Sequence, residues 1–195
     1  MFRRGFKTSS EETALKIRRK LGIALHAPVS PAAIAAILAI PIVTPDELSE
    51  LREDVRDRLM GDHSDTWSAI TVSDGQKHLI IVNSTHAPSR TNSSLAHELA
   101  HVILGHEPSM MFMTPQSGIA LRTHNKDQED EANWLAGCIL LPRDALLHIR
   151  RSGIGDDQVC SEYGVSLKMF RFRINSTGVD VQVRRAGRYR SSNYQ

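Results

Sequence analysis

The segment Ser94–His106 has the sequence Ser-Leu-Ala-His-Glu-Leu-Ala-His-Val-Ile-Leu-Gly-His and spaces two histidines, His97 and His101, four residues apart. On an α-helix, residues at this spacing lie on one face, with their β-carbons about 5–6 Å apart. Both imidazoles can therefore reach one zinc ion at the roughly 2.0–2.1 Å that zinc–nitrogen bonds require. Glu98 lies beside the pair, where it can accept a proton from a water molecule that the metal activates. The segment predicts a metal-binding helix, with His97 and His101 as ligands and Glu98 as the catalytic residue.

The neighbouring residues favour a helix with one buried side. Apolar residues recur at helical spacing, namely Leu95, Leu99, Val102 and Ile103. The hydroxyl groups of residues 91–94 predict the N-cap of this helix, and Gly105 predicts its end. A core helix without a metal would have to bury Glu98 unpaired among apolar side chains, which is costly. The pattern therefore favours a metal site.

A catalytic zinc ion needs a third protein ligand besides two histidines. In metzincins this ligand is a histidine six residues after the second one. Here Gly105 and His106 lie four and five residues after His101, so the metzincin pattern fails. On a continued helix His106 would point away from the other two histidines, and we expect it to be a solvent-facing residue at the helix end.

A carboxylate from a second helix is the better candidate for the third ligand. The segment Glu129-Asp-Glu-Ala-Asn133 opens an otherwise apolar helical stretch, and its first and last residues share a helix face. Glu129 could bind the metal while Asn133 accepts a hydrogen bond from the far ring nitrogen of His97 or His101. Glu131 is the alternative metal ligand. Acidic residues in the first turn also stabilise a helix through its dipole. Spacing alone therefore leaves open that these residues are only a solvent-exposed acidic turn.

Three motifs together resemble the ImmA/IrrE family of metallopeptidases. They are His97-Glu-Leu-Ala-His101, Glu129-x-Glu-Ala-Asn133 and Leu140-Leu-Pro142. The resemblance extends over about residues 14–178, and its specific motifs lie within residues 95–142. After the second motif, family members often have Phe-Ala where this chain has Trp-Leu. They also often have Met before the proline of the third motif. Neither departure touches the residues of the expected site.

The resemblance implies a zinc site and a regulatory substrate. In the family the third zinc ligand is the first glutamate of the second motif, which corresponds to Glu129, whereas Glu131 is at a more variable position. The wider gluzincin class has an acidic or amide residue four positions later, which corresponds to Asn133. The family's role implies an endopeptidase that cleaves a partner protein, a transcriptional repressor of the XRE-type helix-turn-helix class, in stress response or mobile-element regulation.

For the fold we expect the α+β class: a mostly helical, zincin-like metalloprotease domain with a small β-sheet and a C-terminal helical subdomain. Two runs with strand character, 67–73 and 78–82, flank Asp74-Gly75 and predict a β-hairpin. Residues 40–43 predict a further short strand. An exposed edge of such a sheet could bind an extended substrate as an additional strand.

The chain divides into three predicted parts. Residues 8–150 form the metallopeptidase domain, residues 151–178 form a small helical extension that packs on it, and residues 179–195 form a basic flexible tail. Residues 107–126 lack periodicity, and a loop of this length in a compact domain is usually functional or disordered. We expect this loop to contribute to a substrate cleft.

The extension leaves a non-proteolytic alternative open. Residues 156–173 have the pattern of a helix, a glycine turn and a second helix that carries arginines, which is typical of helix-turn-helix modules. Because the first helix is short and begins with acidic residues, we favour a packing subdomain over a DNA-binding one. The alternative function is a regulator that binds DNA or a repressor through this basic segment.

Net charge and hydropathy restrict the partners and the location. The formal net charge is only +2, so the whole chain has no general attraction to nucleic acid or membranes. No apolar run approaches the length of a membrane span. The basic pair Arg3-Arg4 is followed by a polar stretch rather than an apolar one, which excludes an export signal. We therefore expect a cytoplasmic protein.

Overall fold

The computed structural model describes residues 2–49, 51–61, 64–73, 75–106 and 125–192, without the side chains of residues 58 and 187–192. Its helices are α1 (Phe6–Lys20), α2 (Pro31–Ile37), α3 (Glu53–Met60), α4 (Pro88–Leu104), α5 (Lys126–Leu140), α6 (Arg143–Ser152), α7 (Asp156–Tyr163), α8 (Leu167–Thr177) and α9 (Val179–Ser192). The strands are β1 (Ile42–Val43), β2 (Ala69–Ser73) and β3 (His78–Val82). None of these helices, as far as they are described, is long and apolar enough to cross a membrane. Most of the loop expected at residues 107–126 lies outside the described residues.

The strands form one small sheet with the order β1-β3-β2. β2 and β3 pair antiparallel, with Thr71 opposite Ile80, which confirms the predicted hairpin. β1 pairs parallel to β3 on its other side, with Ile42 opposite Ile80. A mostly helical chain with this sheet confirms the predicted α+β class.

Helices α4 and α5 form the centre of the core and lie side by side. Both helices contribute small residues to the core: Ala96, Ala100, Ala132 and Ala136 are each at most 2% exposed. Because the distance between packed helices depends on the side chains at the contact, these alanines allow a close approach. Leu99 of α4 and Leu135 of α5 belong to the same core cluster and are fully buried. The sheet packs against α4, so this helix is covered on two sides.

The predicted start of α4 is wrong, whereas its predicted end is confirmed. The helix begins at Pro88, before the hydroxyl-bearing residues, because proline fits the first helical position. The hydroxyl of Ser93 instead donates to the carbonyl of Ser89 at 2.9 Å, inside the helix. Gly105 ends the helix in the left-handed conformation, with φ of 65°.

Two buried arginines hold the C-terminal end of α5. The last carbonyl groups of a helix have no partner within the helix. Arg18 of α1 donates to the carbonyl of Leu140 at 3.4 Å, and Arg173 of α8 donates to that of Leu141 at 3.1 Å. Both side chains are fully buried. Burial lowers the pKa of Arg18 to about 10, which shows how strongly this position disfavours its charge.

Glu11 of α1 is the counter-ion of Arg173. Its carboxylate accepts a hydrogen bond from Nη2 of Arg173 and another, at 2.9 Å, from the backbone N–H of Arg143 at the start of α6. A single side chain therefore joins α1, α6 and α8. The ion pair compensates a guanidinium that is completely withdrawn from water.

The segment expected to form the basic tail is helical over most of its length. Residues 179–192 form α9, whose first residue, Val179, is fully buried. Asp180 accepts a hydrogen bond at 2.8 Å from Nε of Arg150 in α6. A buried apolar side chain and an ion pair hold the start of this helix, and the flexibility of the tail stays a prediction. Helices α7 and α8 share the core with α4 and α5, and the domain boundary near residue 150 stays a prediction.

We expect Glu11→Ala to lower the free energy of unfolding by about 3 kcal/mol, because removing one partner leaves the buried charge of Arg173 uncompensated. This value is at the low end of the range for breaking a buried ion pair, because the Glu11 side chain is 21% exposed. Glu12→Ala is the matched control, because Glu12 is exposed and such substitutions usually change stability by less than about 0.5 kcal/mol. Urea denaturation of both variants measures the difference. Equal stability of the two variants would contradict a structural role of this ion pair.

Candidate metal centre

Three side chains from α4 and α5 present their donor atoms to one point. Nε2 of His97 lies 3.0 Å from Nε2 of His101. The carboxylate oxygens of Glu129 lie 3.2 Å from His97 Nε2 and 3.5 Å from His101 Nε2. Within the described ranges, these residues form the one group of three or more potential ligands, with donor atoms all within 4.8 Å of one another.

This donor set fits a small divalent cation. In a tetrahedral site with zinc–ligand distances of 2.0–2.1 Å, any two donor atoms lie roughly 3.3–3.4 Å apart. The separation of the two Nε2 atoms, 3.0 Å, is close to that value, as are the 3.2 Å from His97 to Oε2 of Glu129 and the 3.5 Å from His101 to Oε1 of Glu129. Two imidazole nitrogens and one carboxylate also form the usual protein ligand set of thermolysin-type catalytic zinc sites.

Asn133 contacts one of the histidines. Its Oδ1 atom lies 3.1 Å from Nδ1 of His97. When Nε2 of His97 binds a metal, the ring proton is on Nδ1, and this N–H donates to the Asn133 oxygen. Glu129 and Asn133 are four residues apart on α5, so one helix face brings both to the same histidine.

Glu98 is buried against the sheet. Its relative exposure is 4%, although it belongs to the same helix as the two histidines. The hydroxyl of Thr71, in β2, donates a hydrogen bond of 2.6 Å to Oε2 of Glu98. The structure thus places the carboxylate between the histidine-bearing helix and strand β2.

Sequence reasoning did not find Thr71. Successive residues of a strand point to opposite faces, so Thr71 shares a face with Ala69. Ala69 is only 8% exposed, and this face packs towards the core. A polar residue on the buried face of a predicted strand was the available signal, but the sequence does not show which side chain it meets.

The expectation of a solvent-facing His106 is wrong. Its side chain is only 6% exposed, and its Nδ1 lies 3.0 Å from Nδ1 of His101. The left-handed Gly105 ends the helix and turns the chain back, so that the N–H of His106 donates to the carbonyl of His101 at 3.0 Å. This is the 6→1 hydrogen bond of a Schellman motif, and it returns the residue after the glycine towards the helix.

Glu131, the alternative metal ligand, lies outside the group of three. Its Oε2 atom is 3.3 Å from Nε2 of His106, and its Oε1 atom is 3.9 Å from Nε of Arg3. Residues two apart on a helix point in nearly opposite directions, which separates Glu131 from Glu129. The geometry therefore brings Glu129, and not Glu131, to His97 and His101.

Comparison with known proteins identifies the class of this fold and site, a metallopeptidase domain. The family model described as IrrE N-terminal-like domain, Peptidase_M78, matches residues 55–175, which is more than half of the chain. The chain therefore belongs to this family. No curated protein matches it significantly. A Mycobacterium tuberculosis transcriptional regulator is similar in structure, with a TM-score of 0.49 and 16% sequence identity; the match covers 86% of this chain but only 46% of that protein.

We expect the purified chain to bind one zinc ion. Glu129→Ala should weaken zinc binding by more than about 100-fold. Loss of a residue that only supports a ligand typically lowers metal affinity by about 10- to 100-fold, and loss of the ligand itself should lower it further. Asp130→Ala is the matched control: it removes the same charge from an exposed neighbouring position. Competition with a chromogenic chelator measures both affinities. Equal affinities of the two variants would contradict the assignment of Glu129.

Proposed function

We propose that this chain is a zinc-dependent endopeptidase that hydrolyses a peptide bond in a partner protein. Membership of a metallopeptidase family supports the reaction class. The observation that carries the proposal is the convergence of His97, His101 and Glu129 on one point, with the buried carboxylate of Glu98 on the same helix.

Each residue of the site has a separate task. His97, His101 and Glu129 hold the ion. When bound, zinc supplies Lewis-acid chemistry, which lowers the pKa of water and polarises a carbonyl oxygen. The Glu98 carboxylate accepts the proton of the attacking water and transfers it to the leaving amine nitrogen. Asn133 fixes the ring orientation of His97.

Strand β2 is the candidate binding edge for the substrate. Among the described strands it has a neighbour on one side only, because the sheet order is β1-β3-β2. An extended peptide can add to such an edge through backbone hydrogen bonds. Thr71 lies in this strand and contacts Glu98, so a peptide bound at this edge would run beside the catalytic carboxylate.

For the substrate we propose a cytoplasmic transcriptional repressor of the XRE-type helix-turn-helix class. The resemblance of residues 97–101, 129–133 and 140–142 to the ImmA/IrrE pattern supports this choice, as does membership of the family. Cleavage of such a repressor would relieve transcriptional silencing in stress response or mobile-element induction.

A non-proteolytic regulator that binds DNA or a repressor is the second candidate. Helices α7 and α8 are joined by a turn with left-handed Gly164, as in helix-turn-helix modules. Lys168 and Arg171 on α8 are exposed and could meet phosphates. Arg173 is not available for such a contact, because it is fully buried and paired with Glu11.

We expect Glu98→Gln to retain zinc and to lose cleavage by at least about 100-fold, because it removes the general base. Each form would be co-expressed with a candidate XRE-type repressor, and new protein N-termini would be identified by labelling and mass spectrometry. Full cleavage by the variant would contradict the proposed mechanism. Relief of repression by both forms without any new N-terminus would support the non-proteolytic regulator instead.

We expect Thr71→Val to reduce the turnover number on the same substrate by about tenfold, because it removes a hydrogen bond to a charged group. Zinc affinity should stay unchanged, since Thr71 contacts Glu98 and not the three donor residues. Thr71→Ser keeps a hydroxyl and should restore most of the activity. If the serine variant were as impaired as the valine variant, the hydroxyl would not be the important group.

A further inference from the structure

We propose that His106 and Glu131 form a relay that positions His101 as a metal ligand. The inference rests on the proposed metal site and adds two residues to it. Nδ1 of His106 lies 3.0 Å from Nδ1 of His101, and Nε2 of His106 lies 3.3 Å from Oε2 of Glu131. The three side chains thus form a continuous row of hydrogen bonds that ends in a carboxylate.

The protons in this row have one consistent arrangement. A histidine that binds a metal through Nε2 carries its ring proton on Nδ1. His101 therefore donates from Nδ1 to Nδ1 of His106, which must be the acceptor. A neutral His106 then carries its own proton on Nε2, and this N–H donates to the carboxylate of Glu131. Each contact has one donor and one acceptor, with no conflict along the row.

The fold fixes His106 at this position through the end of α4. Gly105 has φ of 65°, a conformation that other residues rarely adopt. Among the described residues, a β-carbon at this glycine would meet no atom within 4 Å, so the backbone conformation is the reason for glycine here. The turn places the His106 side chain against His101, where it is 6% exposed.

In this relay, two residues of α5 hold the two metal-binding histidines in different ways. His97 contacts the neutral amide of Asn133 directly, whereas His101 is connected to the charged Glu131 through His106. An outer carboxylate fixes the ring orientation and raises the basicity of the ligand nitrogen. Arg3 lies 3.9 Å from Glu131, but its side chain is 69% exposed, so solvent screens this contact.

A double-mutant cycle on zinc affinity tests the relay. His106→Phe removes the central imidazole, Glu131→Ala removes the terminal carboxylate, and Asp130→Ala is the exposed control. We expect His106→Phe to weaken zinc binding by about 10- to 100-fold and Glu131→Ala by about tenfold. In the His106→Phe background, Glu131→Ala should cause no further loss, because the carboxylate acts only through the histidine.

A conservative variant and a spectrum separate this role from a general loss of structure. His106→Gln keeps an acceptor for His101 and a donor for Glu131, so it should recover most of the lost affinity. With Co²⁺ in place of zinc, all these variants should keep the intense visible bands of a four-coordinate site. Circular dichroism of the metal-free variants establishes that each one is folded.

The outcomes distinguish the relay from the metal site itself. Wild-type affinity in His106→Phe, or additive losses in the double variant, would overturn the relay while leaving the zinc site intact. An affinity loss in Glu131→Ala as large as that in Glu129→Ala, with an altered cobalt spectrum, would make Glu131 a direct ligand and also overturn it. If the wild-type chain bound no zinc, the proposed function would fail, and the relay with it.

Discussion

The close contact between α4 and α5 is the constraint on which the site depends. Neither helix carries a complete ligand set, because α4 supplies two imidazoles and α5 supplies a carboxylate. The fully buried Ala96 and Ala100 each precede a histidine of the proposed metal site, and the fully buried Ala132 precedes Asn133. Small core residues therefore adjoin the functional ones in sequence on both helices. A larger residue at one of these buried alanines would have to displace its neighbours in the core, which would disturb the positions of the donor atoms.

The far end of α5 is held by a different kind of interaction. Buried Arg18 and Arg173 bind the terminal carbonyls of the helix, where an apolar core would leave them without partners. Burying two guanidinium groups is unfavourable unless they are hydrogen-bonded and compensated, and Glu11 provides compensation for Arg173. The N-terminal helix thus contributes to the position of α5 although it supplies no metal ligand. This anchoring fixes a helix whose opposite end carries Glu129.

The sequence predicted local features well and features that depend on tertiary contacts poorly. The helical spacing of His97 and His101 and the hairpin are local patterns. The structure has both histidines on α4 and the hairpin as strands β2 and β3. Glu129 came from a family resemblance, since helical spacing alone did not distinguish a ligand from a solvated acidic turn. Thr71 and His106 were missed for two different physical reasons. The first depends on how a sheet packs on a helix, and the second on how a left-handed glycine redirects the chain.

The carboxylates around the histidines are compatible with a bound cation. Glu98, Glu129 and Glu131 lie on two adjacent helices, with the histidines between them. Glu98 is 4% exposed, and the side chains of Glu129 and Glu131 are 17% and 20% exposed. Like charges in such a partly buried group repel one another, and a bound cation would reduce that repulsion. A divalent cation at the donor atoms of His97, His101 and Glu129 would supply positive charge where the three donors meet. The acidic residues are therefore compatible with the metal site even where they do not bind the metal themselves.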